Sequence, residues 1–318
     1  MAKIAINIIT GFLGSGKTTF LSEILQNNKE NTALLVNEFG ESGLDNSILS
    51  SFFIEEETIL LNHGCICCNK RQDLIDKLKE ILNIYHKNSK KLDRVVIETT
   101  GLATIEPILF TILSDTFLQN HFFVNSVFTC VDSINAMAQI NENEESVNQI
   151  ISSDVLIITK DDLNSNTSEL KEKLFSLNKS AKIYLKSEFC LDEFFKHRQE
   201  IKFYETNLKS YKHNENIQSL SISFEGELEW SAFGIWLSML LYKYGDKILR
   251  VKGLLNAHKD YFISVNGVRH IVYPPVHIKK TKNSSASTLV FISKSFDLNK
   301  VILSLQAFSH LLKIKIKP

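Results

Sequence analysis

An excess of charge of either sign is missing: Lys+Arg and Asp+Glu each number 36 in 318 residues, so the formal net charge is zero. The chain therefore lacks the basic field that sequence-independent nucleic-acid binding draws on, and no nucleic-acid partner is expected. Proline is scarce, at four residues, and 44% hydrophobic against 23% charged content excludes the disordered and low-complexity classes. No internal repeat is visible. A membrane-length apolar run is also absent. The stretch Ala232 to Tyr242 is about half the required length. Its Phe233, Trp236, Leu237, Leu240 and Leu241 recur at the spacing of one helix face packed on a sheet. The opening MAKIAINII breaks at Thr10-Gly11 with neither a charged lead nor a cleavage site, so no secretory leader and no membrane partner are expected. Five cysteines, an odd number with three packed into Cys65, Cys67 and Cys68, do not make a secreted disulfide framework. They imply a reducing, cytoplasmic setting.

Two domains are expected from the length. From the start to residue 205, short β-rich runs alternate with longer amphipathic segments. The runs are Ile4 to Ile9, Thr32 to Val36, Arg94 to Ile97, Phe122 to Val131, Val155 to Thr159 and Lys182 to Leu185. This alternation predicts an α/β domain with a doubly wound, mostly parallel sheet. Residues 206–216 read as a linker, and 217–318 as a smaller C-terminal α+β domain with a largely antiparallel sheet. Asn141 to Asn148, Asn164 to Ser168 and Lys279 to Ser287 read as soft, polar stretches.

Gly11-Phe-Leu-Gly14-Ser15-Gly16-Lys17-Thr18 matches GxxxxGK[ST] where that motif has to sit, after a strand and opening a helix. Glycines at 11, 14 and 16 let backbone N–H groups of the loop, through Ser15 to Thr19, curl around an anion. Lys17 reaches the outer phosphates and the Thr18 hydroxyl ligates Mg²⁺. The second acid for Mg²⁺ is expected at the end of a neighbouring strand. Val95-Val-Ile-Glu98-Thr-Thr-Gly101 provides Glu98, and Gly101 follows where its N–H can sense a γ-phosphate. Thr159-Lys160-Asp161-Asp162 resembles the [NT]KxD element of GTPases. There Asp162 accepts from guanine N1–H and its 2-amino group while the stem of Lys160 lies along the base. Thr159 stands in place of the commoner Asn and so lacks an amide. GTP is favoured over ATP.

Asn62-His63-Gly64-Cys65-Ile66-Cys67-Cys68 places three thiols within four residues, a donor set for Zn²⁺ or another soft or borderline cation with one position open. His63 is one candidate for the fourth position, although a surface histidine is the commoner role. Glu38 and Glu41, at the end of the second run, stand where a first switch segment is expected. Glu38 is a candidate ligand of the transferable metal, with Mg²⁺ and water as the other uses of this pair. A redox role is the rival reading of the thiols. Cys130 and Cys190, isolated from the cluster, read as small core residues.

GFLGSGKTT, NEFGE, GCICC, ETTGLATIEP and TKDD, in this order, resemble the CobW-like family of P-loop GTPases that act as metallochaperones. Leu228 to Pro275, with GDKILRVKGLLNA and VNGVRHIVYPP, resembles that family's C-terminal domain. The resemblance implies GTP hydrolysis coupled to delivery of a transition metal to a client metalloprotein, with Cys65, Cys67 and Cys68 as ligands and Glu98 as the acid of an ExxG element. The nine histidines are scattered, so a histidine-rich metal store is not expected. Zinc is the first expectation for the metal and cobalt the second, the latter implying a role in cobalamin synthesis. A zinc-binding module or sensor with a structural nucleotide, and an ATP-dependent kinase, are the other readings. A homodimer is left open.

Overall fold

The computed structural model describes residues 3–27, 31–36, 58–60, 68–89, 91–164, 166–196, 211–213, 217–280 and 286–316. They form two compact units, one of residues 1–172 and 181–197, the other of 173–180 and 198–318.

In the first unit the strands are β1 (Ile4–Thr10), β2 (Thr32–Val36), β3 (Thr58–Leu60), β4 (Arg94–Glu98), β5 (Phe122–Asp132), β6 (Val155–Thr159) and β7 (Lys182–Leu185). They make one sheet in the order β3-β2-β4-β1-β5-β6-β7, and every neighbouring pair is parallel. Helices α1 (Lys17–Gln26), α2 (Cys68–Lys87), α3 (Glu106–Ser114), α4 (Thr116–His121), α5 (Ala136–Glu142), α6 (Glu144–Ser152) and α7 (Ser168–Leu177), the last divided between the two units at residue 173, lie between the strands, and α8 (Asp192–Phe195) follows β7. The sequence IAINIIT of β1 is apolar at nearly every position because a central parallel strand is covered on both faces; from Ala5 onward it is wholly buried. Its one amide, Asn7, donates to Phe194 O at 2.8 Å and accepts from Arg94 and Asn125, so the buried polar groups are paired.

The stretch Asn141 to Asn148, read above as soft, is instead the junction of α5 and α6. Only Asn143 is extended there, at φ −126°, and the anchors Ile140, Ile150 and Ile151 are buried. Two short helices with few apolar residues each give too little periodicity to read against a run of Asn and Glu. Cys190, read as a core residue, is exposed. Cys130 is buried, and that burial pushes its thiol up to about 12.

The second unit holds β8 (Tyr211–His213), β9 (Ile217–Glu225), β10 (Ile248–Leu255), β11 (Tyr261–Val268), β12 (Ile271–Val272), β13 (Val276–Lys279), β14 (Ser287–Lys294) and β15 (Lys315–Ile316). The sheet is antiparallel in the order β12-β11-β10-β14-β9-β15, with β13 on β11 and β8 on β9. Part of the stretch expected as linker, Tyr211–His213, is thus a paired strand. Helices α9 (Trp230–Tyr244) and α10 (Asn299–Leu312) cover one sheet face, with Phe233, Trp236, Phe291, Val301 and Leu305 in a common core. No described helix is long and apolar enough to cross a membrane.

Helix α9 begins at Glu229, whose carboxylate accepts from Ala232 N and Ser231 N. The bond from Ala232 N is the largest cause holding this carboxyl below the usual glutamate range. A carboxylate with a depressed folded-state pKa contributes stability above its unfolded pKa and loses it as the pH falls through the folded one. Glu229→Ala is therefore expected to lower the denaturation midpoint at neutral pH, by an amount that fades once the pH drops below the ordinary glutamate range. Urea unfolding at a series of pH values checks this; a gap that stays constant into acid would contradict it.

Candidate functional site

Strand β1 ends at Thr10 and the chain turns at once through Gly11 at φ 144°, Gly14 at 70° and Gly16 at 78°. These conformations are strained for any residue with a Cβ. Space is short as well as angle: a Cβ on Gly11 would lie 2.6 Å from Ser15 Oγ and overlap Cys130 O on neighbouring β5. Helix α1 then starts at Lys17 with no side-chain cap and no acidic residue in its first turn. A helix start without a side-chain cap presents backbone N–H groups and the positive end of its dipole, so the loop is built for an anion. Ser15 Oγ is buried in this cradle and has no hydrogen-bond partner among the described residues. Lys17 Nζ crosses the loop and donates to Gly11 O at 3.0 Å and Phe12 O at 3.1 Å.

Parallel pairing of β1 with β4 sets Glu98 beside Ile9, at the strand end from which the loop departs. From there Glu98, buried at 5% exposure, accepts through Oε1 from Thr18 Oγ1 at 3.0 Å. Two oxygen-bearing side chains 80 positions apart thus meet at the mouth of the loop, a hard donor pair suited to Mg²⁺. Beyond Glu98, Thr99 N donates to Ile9 O at 2.9 Å and Thr99 Oγ1 to Thr10 Oγ1 at 2.8 Å, which ties the exit of β4 to β1. Gly101 packs so closely on the phosphate loop that a Cβ there would stand 2.7 Å from Leu13 N and 2.8 Å from Leu13 Cα.

At the end of β6, Thr159 donates its hydroxyl to Ser15 O at 2.8 Å and lies 3.2 Å from Val131 O. A hydroxyl thereby ties the base-side loop to the phosphate loop, and the missing amide leaves no gap. Lys160 takes a left-handed φ of 54°, and Asp162 is exposed in the turn that follows. Asp161 accepts from Ser187 N at 3.1 Å and from the Ser187 hydroxyl. Burial opposes its charge, but these bonds outweigh it and hold the carboxyl below the usual range.

Residues 5–185 match the model of the CobW/HypB/UreG nucleotide-binding domain, and residues 217–309 match that of the cobalamin synthesis protein CobW C-terminal domain. The chain belongs to the CobW/HypB/UreG family. Its first unit is that family's P-loop GTPase domain. Among its relatives are an Escherichia coli protein named zinc chaperone YjiA, 31% identical over 80% of this chain and 82% of the relative. A Schizosaccharomyces pombe protein named zinc-regulated GTPase metalloprotein activator 1 is 34% identical over 57% of this chain; the match spans 45% of that longer protein. The crystal structure of Zn(II)-bound YjiA GTPase from E. coli superposes with a TM-score of 0.69 at 24% identity, covering 96% of this chain and 99% of that one, and so shares the fold.

Within the family frame, several groups that hold the loops escaped sequence reasoning. Asp132 ends β5 opposite Thr159 and accepts from Lys160 Nζ at 2.8 Å, Asn135 Nδ2 at 2.8 Å and Ile134 N at 2.9 Å. Burial works against its charge, but the Lys160 bond and the two others win and keep the carboxyl below the usual range. Gln149, buried on α6, donates to Gly101 O at 3.1 Å and Ala103 O at 3.0 Å and so fastens the loop after β4. Asp132 had a signal in the sequence, an acid closing an apolar strand as Glu98 does; Gln149 had none. Glu38, Glu41, His63, Cys65 and Cys67 lie outside the described residues. Cys68 is the first residue of α2, and its side chain is likewise outside them.

Proposed function

We propose that the chain is a GTP-hydrolysing metallochaperone that binds zinc through Cys65, Cys67 and Cys68, with Glu38 nearby, and passes it in the cytoplasm to a client metalloprotein under control of the nucleotide state. The observation that carries the nucleotide half is the meeting of Thr18 with Glu98 at the uncapped start of α1. In this reading the loop from Gly11 to Thr19 binds the phosphates of GTP through backbone N–H groups, and Lys17 neutralises charge that develops on the outer ones. Thr18 and Glu98 would hold a Mg²⁺ ion, which when bound supplies further neutralisation of the phosphates. Thr159, Lys160 and Asp162 orient and select the guanine.

Support for the metal half is of two kinds: the CxCC thiols, and relatives whose names speak of zinc. Zinc is cargo here, and three thiolates with an open fourth position can hold it and still release it to a better donor set. The deciding experiment is titration of the purified chain with Zn²⁺, Co²⁺ and Ni²⁺ in the presence of a non-hydrolysed GTP analogue or of GDP. Metal affinity that ignores the nucleotide would reduce the chain to a zinc-binding module.

Gly101 links the two halves, since its N–H is the sensor of the γ-phosphate in this reading. Gly101→Ala forces a Cβ against the Leu13 backbone, so either loop has to shift. The expected result is a loss of GTP turnover of about tenfold or more with a smaller change in GDP affinity. Unchanged turnover would show that Gly101 does not approach the γ-phosphate.

A further inference from the structure

Lys160 is followed in the chain by two carboxylates, Asp161 and Asp162, yet its ammonium goes to a third, Asp132. Asp161 is engaged by Ser187. Asp132, its side chain 1% exposed, takes Lys160 Nζ. Asp162 is left as the exposed acid of the turn. The backbone around this pair is clamped from the same side. Ser133 N donates to Thr159 O at 3.0 Å, Ser133 Oγ to Lys160 O at 2.8 Å, and Asn164 Nδ2 to Ser133 O at 2.8 Å. Lys160 itself keeps a left-handed φ of 54°, a conformation that persists in a non-glycine residue only where its surroundings over-determine it.

From this geometry we infer that Asp132 is a positioning residue for guanine selection, acting through Lys160. The inference deepens the proposed GTP site and rests on it. With its ammonium fixed on Asp132, the aliphatic stem of Lys160 is held in one rotamer as a flat wall for the purine, so ordering it costs little when the base arrives. The same bond keeps the ammonium from swinging to Asp162 two residues along, where it would quench the carboxylate that accepts from guanine N1–H and the 2-amino group. Asp132 touches neither phosphate nor base in this account. Its loss raises KM and erodes base preference while leaving the chemical step alone.

The test uses the full chain and competition of GDP and ADP against a fluorescent GDP analogue, together with GTP turnover. Asp132→Asn keeps size and the acceptor for Ile134 N but removes the charge. It is expected to lower the GDP-over-ADP preference about tenfold and to raise KM for GTP by a similar factor, with kcat within about twofold. Lys160→Met keeps the stem and drops the ammonium, and should lose the same preference. In the Lys160→Met background, Asp132→Asn should add no further change. Additive losses, or an unchanged preference in either single variant, would overturn the inference. If Asp132→Asn does not fold, Asp132→Ser, which also keeps an acceptor for Ile134 N and drops the charge, takes its place with the same loss expected, and an unchanged preference overturns the inference. A wild-type chain that fails to prefer GDP over ADP defeats the guanine reading itself, an outcome distinct from failure of Asp132 in a chain that does discriminate.

Discussion

Replacing Lys17 with alanine is expected to lower GTP turnover by at least about 10²-fold while leaving the fold intact. Lys17 brings a full positive charge to the start of α1, where the loop otherwise offers backbone N–H groups and hydroxyls and Glu98 stands as an acid beside Thr18. Its ammonium is already drawn across the loop by Gly11 O and Phe12 O, so it is preorganised where charge would develop on the leaving phosphates. Removing it deletes that charge and frees two carbonyls to water. The side chain is only half-buried, so thermal stability should move little. Single-turnover hydrolysis of GTP, followed with saturating Mg²⁺, measures the effect. A variant that hydrolyses GTP within tenfold of the wild-type rate would remove Lys17 from the machinery. The same variant separates the two functional readings: zinc transfer that persists after hydrolysis is lost would mean that nucleotide serves structure alone.

The phosphate loop was legible because its chemistry is local: fixed spacing, glycines at the forced conformations, a strand before it and a helix after it. Glu98 could be named for the same reason, as an acid ending an apolar strand. What brings it to Thr18 is the pairing of β1 with β4, which no local pattern reveals. Asp132 closes its strand in the same way, yet its partner Lys160 lies 28 residues on, and the parallel register of β5 with β6 decides the meeting. Gln149 is further from reach. A glutamine on a short helix carries no pattern, and its role exists only through Gly101 and Ala103. Mostly apolar strands such as Thr32–Val36 and Val155–Thr159 were bounded to the residue, because burial on both faces calls for a nearly continuous apolar run. The half-polar segments behaved differently. The α5–α6 junction looked like a loop, and Tyr211–His213 looked like linker, since three residues cannot display a period.

Zinc affinity is expected to differ between the GTP-bound and GDP-bound chain by a factor of about 5–150, the usual range for coupled sites. Such coupling requires two elements that respond to the γ-phosphate. One is the loop after β4, where Gly101 packs on Leu13 and Gln149 holds both Gly101 O and Ala103 O. The other is the segment bearing Glu38 and Glu41, which follows β2 directly. Strand β2 pairs with β4 on one side and with β3 on the other, and β3 runs into the segment that carries the three cysteines. In the proposed switch a pull on either loop would be delivered to strands that lead into the proposed metal donors. Linkage fixes the reciprocal: zinc must change the affinity for the GTP analogue by the same factor, or the coupling is not an equilibrium one. Replacing any one of Cys65, Cys67 and Cys68 with serine removes a thiolate from a three-thiolate site and should weaken zinc binding by about 10²-fold or more. With the thiolates gone, nucleotide affinity should no longer respond to zinc, while GTP turnover in metal-free buffer stays near the wild-type rate. Competition against a chromophoric chelator in the two nucleotide states reads the first quantity, and nucleotide titration with and without Zn²⁺ reads the second. Serine variants that keep both zinc affinity and the nucleotide response would place the metal elsewhere in the chain and end the case for a CxCC-borne cargo site.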